Sequence, residues 1–231
     1  MDKTQLDFDK RKDEVENYFS FLSILGDDEN TRLKYKKVDD LVEEKISIQL
    51  QNILIANGFL LLYNVIEATV RHSILEIYYA IEDNEISFEQ LSESLKKIWL
   101  EQSTDNFKEG NFKQDTLHDT ILKITESILT KETIFLSKDK LDFSGNLDAQ
   151  KIRELAKQYG FQMPSNGRNL VTIKNKRNHL AHGNFTFSEI GQDFTVGELK
   201  DFKDETIAFL SDVINKIAKF IVHKQYENLG S

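Results

Sequence analysis

The sequence predicts an all-α, up-and-down helical bundle, and three observations carry that prediction. A single proline, Pro164, and ten glycines in 231 residues are too few turn formers for a fold of many short strands. Apolar residues recur at helical spacing in several long stretches. Hydrophobic residues at 39% and charged residues at 30% are the mix of a folded soluble domain rather than a disordered chain. No internal repeat or low-complexity linker divides the chain. A single domain is therefore expected, with a core of about 38–226 and an N-terminal helix of about 4–25 packed on it.

Taken in order, Leu6, Val15, Tyr18, Phe19, Leu22 and Leu25 outline an amphipathic helix that ends near Gly26. From about Val38 to Glu82 the pattern is again helical, and its middle, Ile53 to Ile81, is apolar on most sides, as expected of a central bundle helix. Ser87 with Gln90 reads as a capping box for a helix to about Gln102, with Leu91, Leu95, Ile98 and Trp99 on one face. "STDNFKEGNFKQD" reads as a loop, and Leu117, Ile121, Ile124 and Ile128 mark a helix from about Gln114 to Lys131. "FLSKDKLDFSGN" is the most irregular stretch, with room for a short strand. Asn146 or Asp148 caps a helix that Gly160 ends, and the turn "FQMPSNG" leads into a helix running to Gly183. After the polar and aromatic loop "NFTFSEIGQDF", Thr195 and Glu198 form a second capping box, opening a long last helix through Leu199, Leu210, Val213, Ile217 and Ile221.

Composition removes several function classes. The absence of cysteine excludes disulfides, thiolate metal sites and cysteine nucleophiles, and fits a reducing, cytoplasmic setting. The charged N-terminal stretch has no apolar signal segment. The longest apolar run, "ILIANGFLLLYNVIEATV", is broken by Asn57, Gly58, Asn64 and Glu67 and reads as a buried helix, so no membrane association is expected. The net charge of −9 disfavours a nonspecific polyanion binder. Its distribution does not: Asp148 to Gly183 holds seven basic and two acidic residues, a net of +5 that leaves −14 elsewhere.

That basic segment contains "NKRNHLAHG", with two of the five histidines beside an arginine and just before a glycine. On a helix, Asn178 and His182 share a face, and His179 neighbours His182. Arg177 lies about 140° around the axis from His182, so one helix does not aim both groups at one atom. A second copy related by a two-fold axis supplies the missing half, and the expected state is a homodimer with a composite site. Such a site suits RNA cleavage that needs no metal or other cofactor. Imidazole moves protons near neutral pH, and guanidinium holds a phosphate and the charge that builds on it. The same residues also fit an ordinary helix end, where basic side chains and a terminal glycine are common. A zinc reading of His179 and His182 finds no third ligand at suitable spacing.

"RNHLAHG" resembles the R-N-x-x-x-H signature of the HEPN superfamily (higher eukaryotes and prokaryotes nucleotide-binding), with Arg177, Asn178 and His182 at the signature positions. "FLLLYNVIEATVRHSI" before it and "GNFTFSEIGQDFTVGELKDFKDETIAFL" after it also look like a bacterial stand-alone HEPN group, over most of residues 50 to 226. The resemblance implies a dimerising helical bundle whose paired motifs form a metal-independent endoribonuclease, acting in toxin–antitoxin pairs or anti-phage defence, sometimes with an antitoxin or defence-system partner. It also implies that some members are silent adaptors binding a protein or nucleotide. By the resemblance, Arg177 stabilises the phosphate, His182 is the general acid and base, and Asn178 positions substrate.

Around the motif, Lys174 and Lys176 are candidates for lining an RNA groove, with solvated lysines as the alternative, and His179 is a neighbouring substrate-binding candidate. Glu67 and Arg71, an i, i+4 pair in the most apolar helix, either support the composite site or form an internal salt bridge. His118 reads as a surface residue, His223 and Tyr226 as structural, and His72 is less informative. The rival from another class is a DNA-binding helix-turn-helix over residues 148–180, which the long proline-containing turn argues against.

Overall fold

A computed structural model describes residues 1–26, 31–37, 40–105, 114–141, 143 and 145–228. Among them are eight α-helices and one two-stranded sheet: α1 (Asp2–Leu25), β1 (Arg32–Lys37), β2 (Asp40–Lys45), α2 (Ile48–Asp83), α3 (Glu93–Ser103), α4 (Gln114–Thr130), α5 (Ala149–Tyr159), α6 (Leu170–Ala181), α7 (Phe187–Gly191) and α8 (Val196–Val222). The protein is an all-α bundle.

Helix α2 is its axis. It starts where Ser47 Oγ accepts the Leu50 N–H at 3.1 Å, and it packs against α1, α6, α7 and α8. Phe59, Leu62, Ile66, Ile74 and Ile77 along it are fully buried. By length and composition α2 could cross a membrane, yet most of its apolar window is buried against its neighbours, as in the core helix of a bundle. On α1 the buried side is Phe8, Val15, Phe19, Leu22 and Leu25, and Leu6 faces away, since nine residues before Val15 is about half a turn off. Across the α1–α8 contact the buried Lys203 donates to Glu16 at 2.7 Å and pairs with Asp204 at 2.9 Å.

Two expected helix starts are corrected. The helix expected from about Val38 begins at Ile48: residues 38–39 lie outside the described residues, and 40–45 pair antiparallel with 32–37. The two strands carry opposite charges, so Arg32 and Lys34 reach Glu43 at 3.2 and 3.1 Å, and Tyr35 donates to Glu44 at 2.8 Å. Ser87 and Gln90 do close on each other, with the Ser87 N–H and hydroxyl both donating to Gln90 Oε1 at 2.9 Å. They close a turn rather than a helix. Leu91 is fully buried and bridges to Glu227, and the Ser92 N–H donates to Tyr226 O at 2.8 Å, which redirects the chain before α3 begins.

The remaining boundaries follow their caps. Asp148 accepts the Lys151 N–H at 2.9 Å at the head of α5, and the chain leaves that helix at Gly160. Most of the expected loop "STDNFKEGNFKQD", residues 106–113, lies outside the described residues, and α4 follows it. In the irregular stretch a short 3-10 turn spans Lys138–Lys140, and just before that stretch Thr133 forms an isolated bridge to Ser87. Thr195 and Glu198 make both hydrogen bonds of the capping box that opens α8. A second box, Thr186 with Glu189, opens the short α7 inside what reads as loop. That helix lies against the start of α2, with Gly191 directly on the Asn52 carbonyl.

Candidate active site

Helix α6 carries the motif and ends in a double hydrogen-bonded cap. The Asn184 N–H returns to His179 O at 3.0 Å and the Gly183 N–H to Leu180 O at 3.2 Å, with Gly183 at φ +67°. His182, at the end of this helix, has its backbone fixed and its imidazole exposed. Among the described residues its side chain has no hydrogen-bond or ionic partner.

Arg177, one and a half turns earlier, is half-buried and points elsewhere. Its guanidinium lies over the Tyr63 ring of α2, 4.6 Å from the centroid, and its Nη1 donates to Asn178 Oδ1 at 3.0 Å. Gly145 abuts the same nitrogen. The Tyr63 hydroxyl accepts the Leu147 N–H at 3.1 Å. Burial pushes the Tyr63 phenol up, the Leu147 bond and Arg177 pull it back, and Glu67 and Asp148 add to the rise. Among the described residues Arg177 has no carboxylate partner.

The neighbouring cations differ. Lys174 donates to Asp148 at 2.5 Å, and Lys176 reaches Asp193 at 3.2 Å and covers the Phe194 ring at 5.1 Å. Each is paired with a carboxylate of its own chain. The ring of His179 stands edge-on to Phe185, 5.1 Å between centroids, with its Nδ1 buried and without a hydrogen-bond partner among the described residues. Glu67 and Arg71 are not paired with each other among the described residues, so the internal salt bridge is not formed. Glu67 lies close enough to act on the Tyr63 hydroxyl, and Arg71 sits over the Phe143 ring at 5.6 Å.

The outlying histidines take ordinary roles. His72 Nδ1 meets Asp7 at 3.0 Å, His223 ends α8, and His118 is exposed. Tyr226 is buried. Among the described residues no group of three or more His, Asp or Glu side chains is placed to hold a metal ion. A helix-turn-helix is not formed, because α5 packs on α3 and α6 on α2, with residues 160–169 between them.

A bundle whose motif helix lies against a long central helix and precedes a long final one also matches a known family. The family model described as HEPN_MAE_28990-like HEPN covers residues 2–226. The chain belongs to this HEPN family. No curated protein and no solved structure matches it in the corresponding comparisons. Within the HEPN chain, three residues near the motif escape a reading of the motif alone: Tyr63, Gly145 and Asp148. Only Asp148 leaves a local signal, as a helix cap.

Asp148 ties two helices of the HEPN bundle together. Burial alone would raise its carboxyl, but the hydrogen bond from Lys174 and the backbone donors of Lys151 and Gln150 outweigh that, and it lies below the usual carboxylate value. A group depressed in the folded state adds stability above its unfolded value, about 4, and loses it as pH falls through the folded one. Asp148→Ala should therefore cost about 1–2 kcal/mol in urea unfolding at pH 7. The gap to wild type should narrow in acid below pH of about 4, and a gap independent of pH would sink this linkage.

Proposed function

We propose that the protein is a metal-independent endoribonuclease that works as a homodimer, a toxin or anti-phage defence effector. The observation that carries this reading is Arg177, without a carboxylate partner among the described residues and held on the Tyr63 ring, at one end of a motif whose other end is the exposed His182. A guanidinium without an internal counter-ion is available to a phosphate, and its planar donors match the charge developing on a phosphoryl centre. An exposed imidazole is free to move protons.

In the reaction we envisage, an RNA 2′-hydroxyl attacks the adjacent phosphorus as imidazole takes its proton. The P–O5′ bond breaks, and a proton returns to the leaving 5′-oxygen. The products carry a 2′,3′-cyclic phosphate and a 5′-hydroxyl. Arg177 stabilises the phosphorane-like charge, and Asn178, already bonded to Arg177, orients the guanidinium. Because Arg177 turns towards α2 and His182 towards solvent, the missing half of each site comes from a second protomer.

The test is cleavage of single-stranded and structured RNA by purified protein in excess EDTA. Wild type is expected to cut, leaving cyclic-phosphate ends, and Arg177→Ala or His182→Ala to lose at least about a thousandfold in rate. His182 is exposed, so its substitution should leave the unfolding midpoint unchanged. Activity that survives both substitutions, or is absent in wild type, overturns the catalytic reading. RNA or protein binding without cleavage would instead favour a silent adaptor.

A further inference from the structure

We propose that Tyr63 is a positioning residue: its ring is the seat that holds Arg177 ready for phosphate without neutralising it. The proposal rests on the nuclease reading above for its functional meaning, and on geometry for its physical content. Three basic side chains of α6 make the contrast. Lys174 and Lys176 end on carboxylates, whereas Arg177 ends on the face of an aromatic ring. A carboxylate would fix a guanidinium equally well but would compete with an incoming phosphate for its donors. A ring face attracts the cation through its quadrupole and leaves the N–H edge of the guanidinium outside the contact.

The seat is rigid. Tyr63 is 2% exposed, so packing holds its ring, and its hydroxyl accepts the Leu147 N–H. Gly145 abuts the guanidinium: a Cβ there would stand 2.4 Å from Arg177 Nη1, so the backbone approach requires glycine, which also holds φ at +68°. Residues 145–148 thus touch the motif helix or its seat three times, through Gly145 on Arg177, Leu147 on Tyr63 and Asp148 on Lys174. Within the described residues only Asn178 Oδ1 takes an Arg177 N–H, leaving the rest of the fork for ligand.

The test compares Tyr63→Phe, which keeps the ring, with Tyr63→Met, which fills similar space without a π face. With folding checked by unfolding midpoint, Tyr63→Met should lower kcat by about ten- to a hundredfold while KM moves less than about threefold. Tyr63→Phe should stay within about threefold of wild type in both. A folded Tyr63→Met with wild-type kcat, or a loss confined to KM, overturns the proposal. The seat is also read without activity, by NMR of the Arg177 side chain. Ring current should move its Nε–H and Cδ–H resonances in wild type and Tyr63→Phe, and not in Tyr63→Met. Unshifted resonances in wild type overturn the seat even if Tyr63→Met fails to fold. Absent RNA cleavage with shifted resonances rejects the nuclease reading alone.

Discussion

Co-expressing Arg177→Ala protomers with His182→Ala protomers should restore RNA cleavage that neither variant shows alone. In a mixed dimer one composite site joins the intact arginine of one protomer to the intact histidine of its partner, and the other site lacks both. Every mixed dimer keeps one working site of two, so recovery to about half of wild-type activity per mole is expected in a pure mixed-dimer fraction, and to about a quarter in the unfractionated, randomly paired mixture. The effect is a rise from background, and it separates two architectures that single substitutions cannot. Were Arg177 and His182 of one chain to act on the same phosphate, every mixed dimer would be dead. The structure gives the reason to expect rescue, since Arg177 turns inward onto Tyr63 while His182 stands exposed at the helix end. Differently tagged protomers, purified through both tags and assayed in EDTA, give the measurement. No recovery in the doubly tagged fraction would sink the cross-protomer pairing.

The second large effect is structural. Gly191→Ala should destabilise the protein by about 1–3 kcal/mol, lowering the thermal midpoint by roughly 3–10 °C. A Cβ at Gly191 would lie 1.8 Å from the Asn52 carbonyl oxygen, a distance no rotamer can relieve because the obstacle is backbone. The short helix α7 must then lift off α2, exposing the buried Ile190 beside it. Gly197→Ala is the control. There the added carbon meets nothing nearer than Thr195 Oγ1 at 3.8 Å, so the change should be neutral or slightly stabilising. Equal midpoints for the two variants would show that α7 is not held by this contact. Because α7 follows the motif directly, Gly191→Ala should also impair any activity that depends on the α6 terminus.

Much of the fold was legible because its helices announce their ends. Thr195 with Glu198, Asp148 with Gly160, and Gly183 are local signals, and the structure uses each of them as a cap. The hairpin was not legible for an equally physical reason. Its strands are dominated by charge: the apolar alternation is confined to Leu33 and Tyr35 in β1, Leu41 and Val42 of β2 are adjacent rather than alternating, and cross-strand ion pairs support the pairing. The turn at Ser87 shows the opposite failure, a genuine local signal overridden by a distant one, the burial of Leu91 against the 226–227 segment. At the motif, the residue types at Arg177, Asn178 and His182 stood out, but their surroundings did not. Which lysines would find carboxylates, and which ring would lie beneath Arg177, are facts about residues far apart in sequence.

The contact between Tyr63 and Arg177 spans more than a hundred residues of chain. On a ribosome α2 emerges long before α6, and during that interval the arginine's platform exists without the arginine. Even after release, the motif helix has nowhere to dock until the core around α2 has condensed. On the nuclease reading proposed above, this ordering leaves an incompletely folded copy with a motif arginine that has no seat.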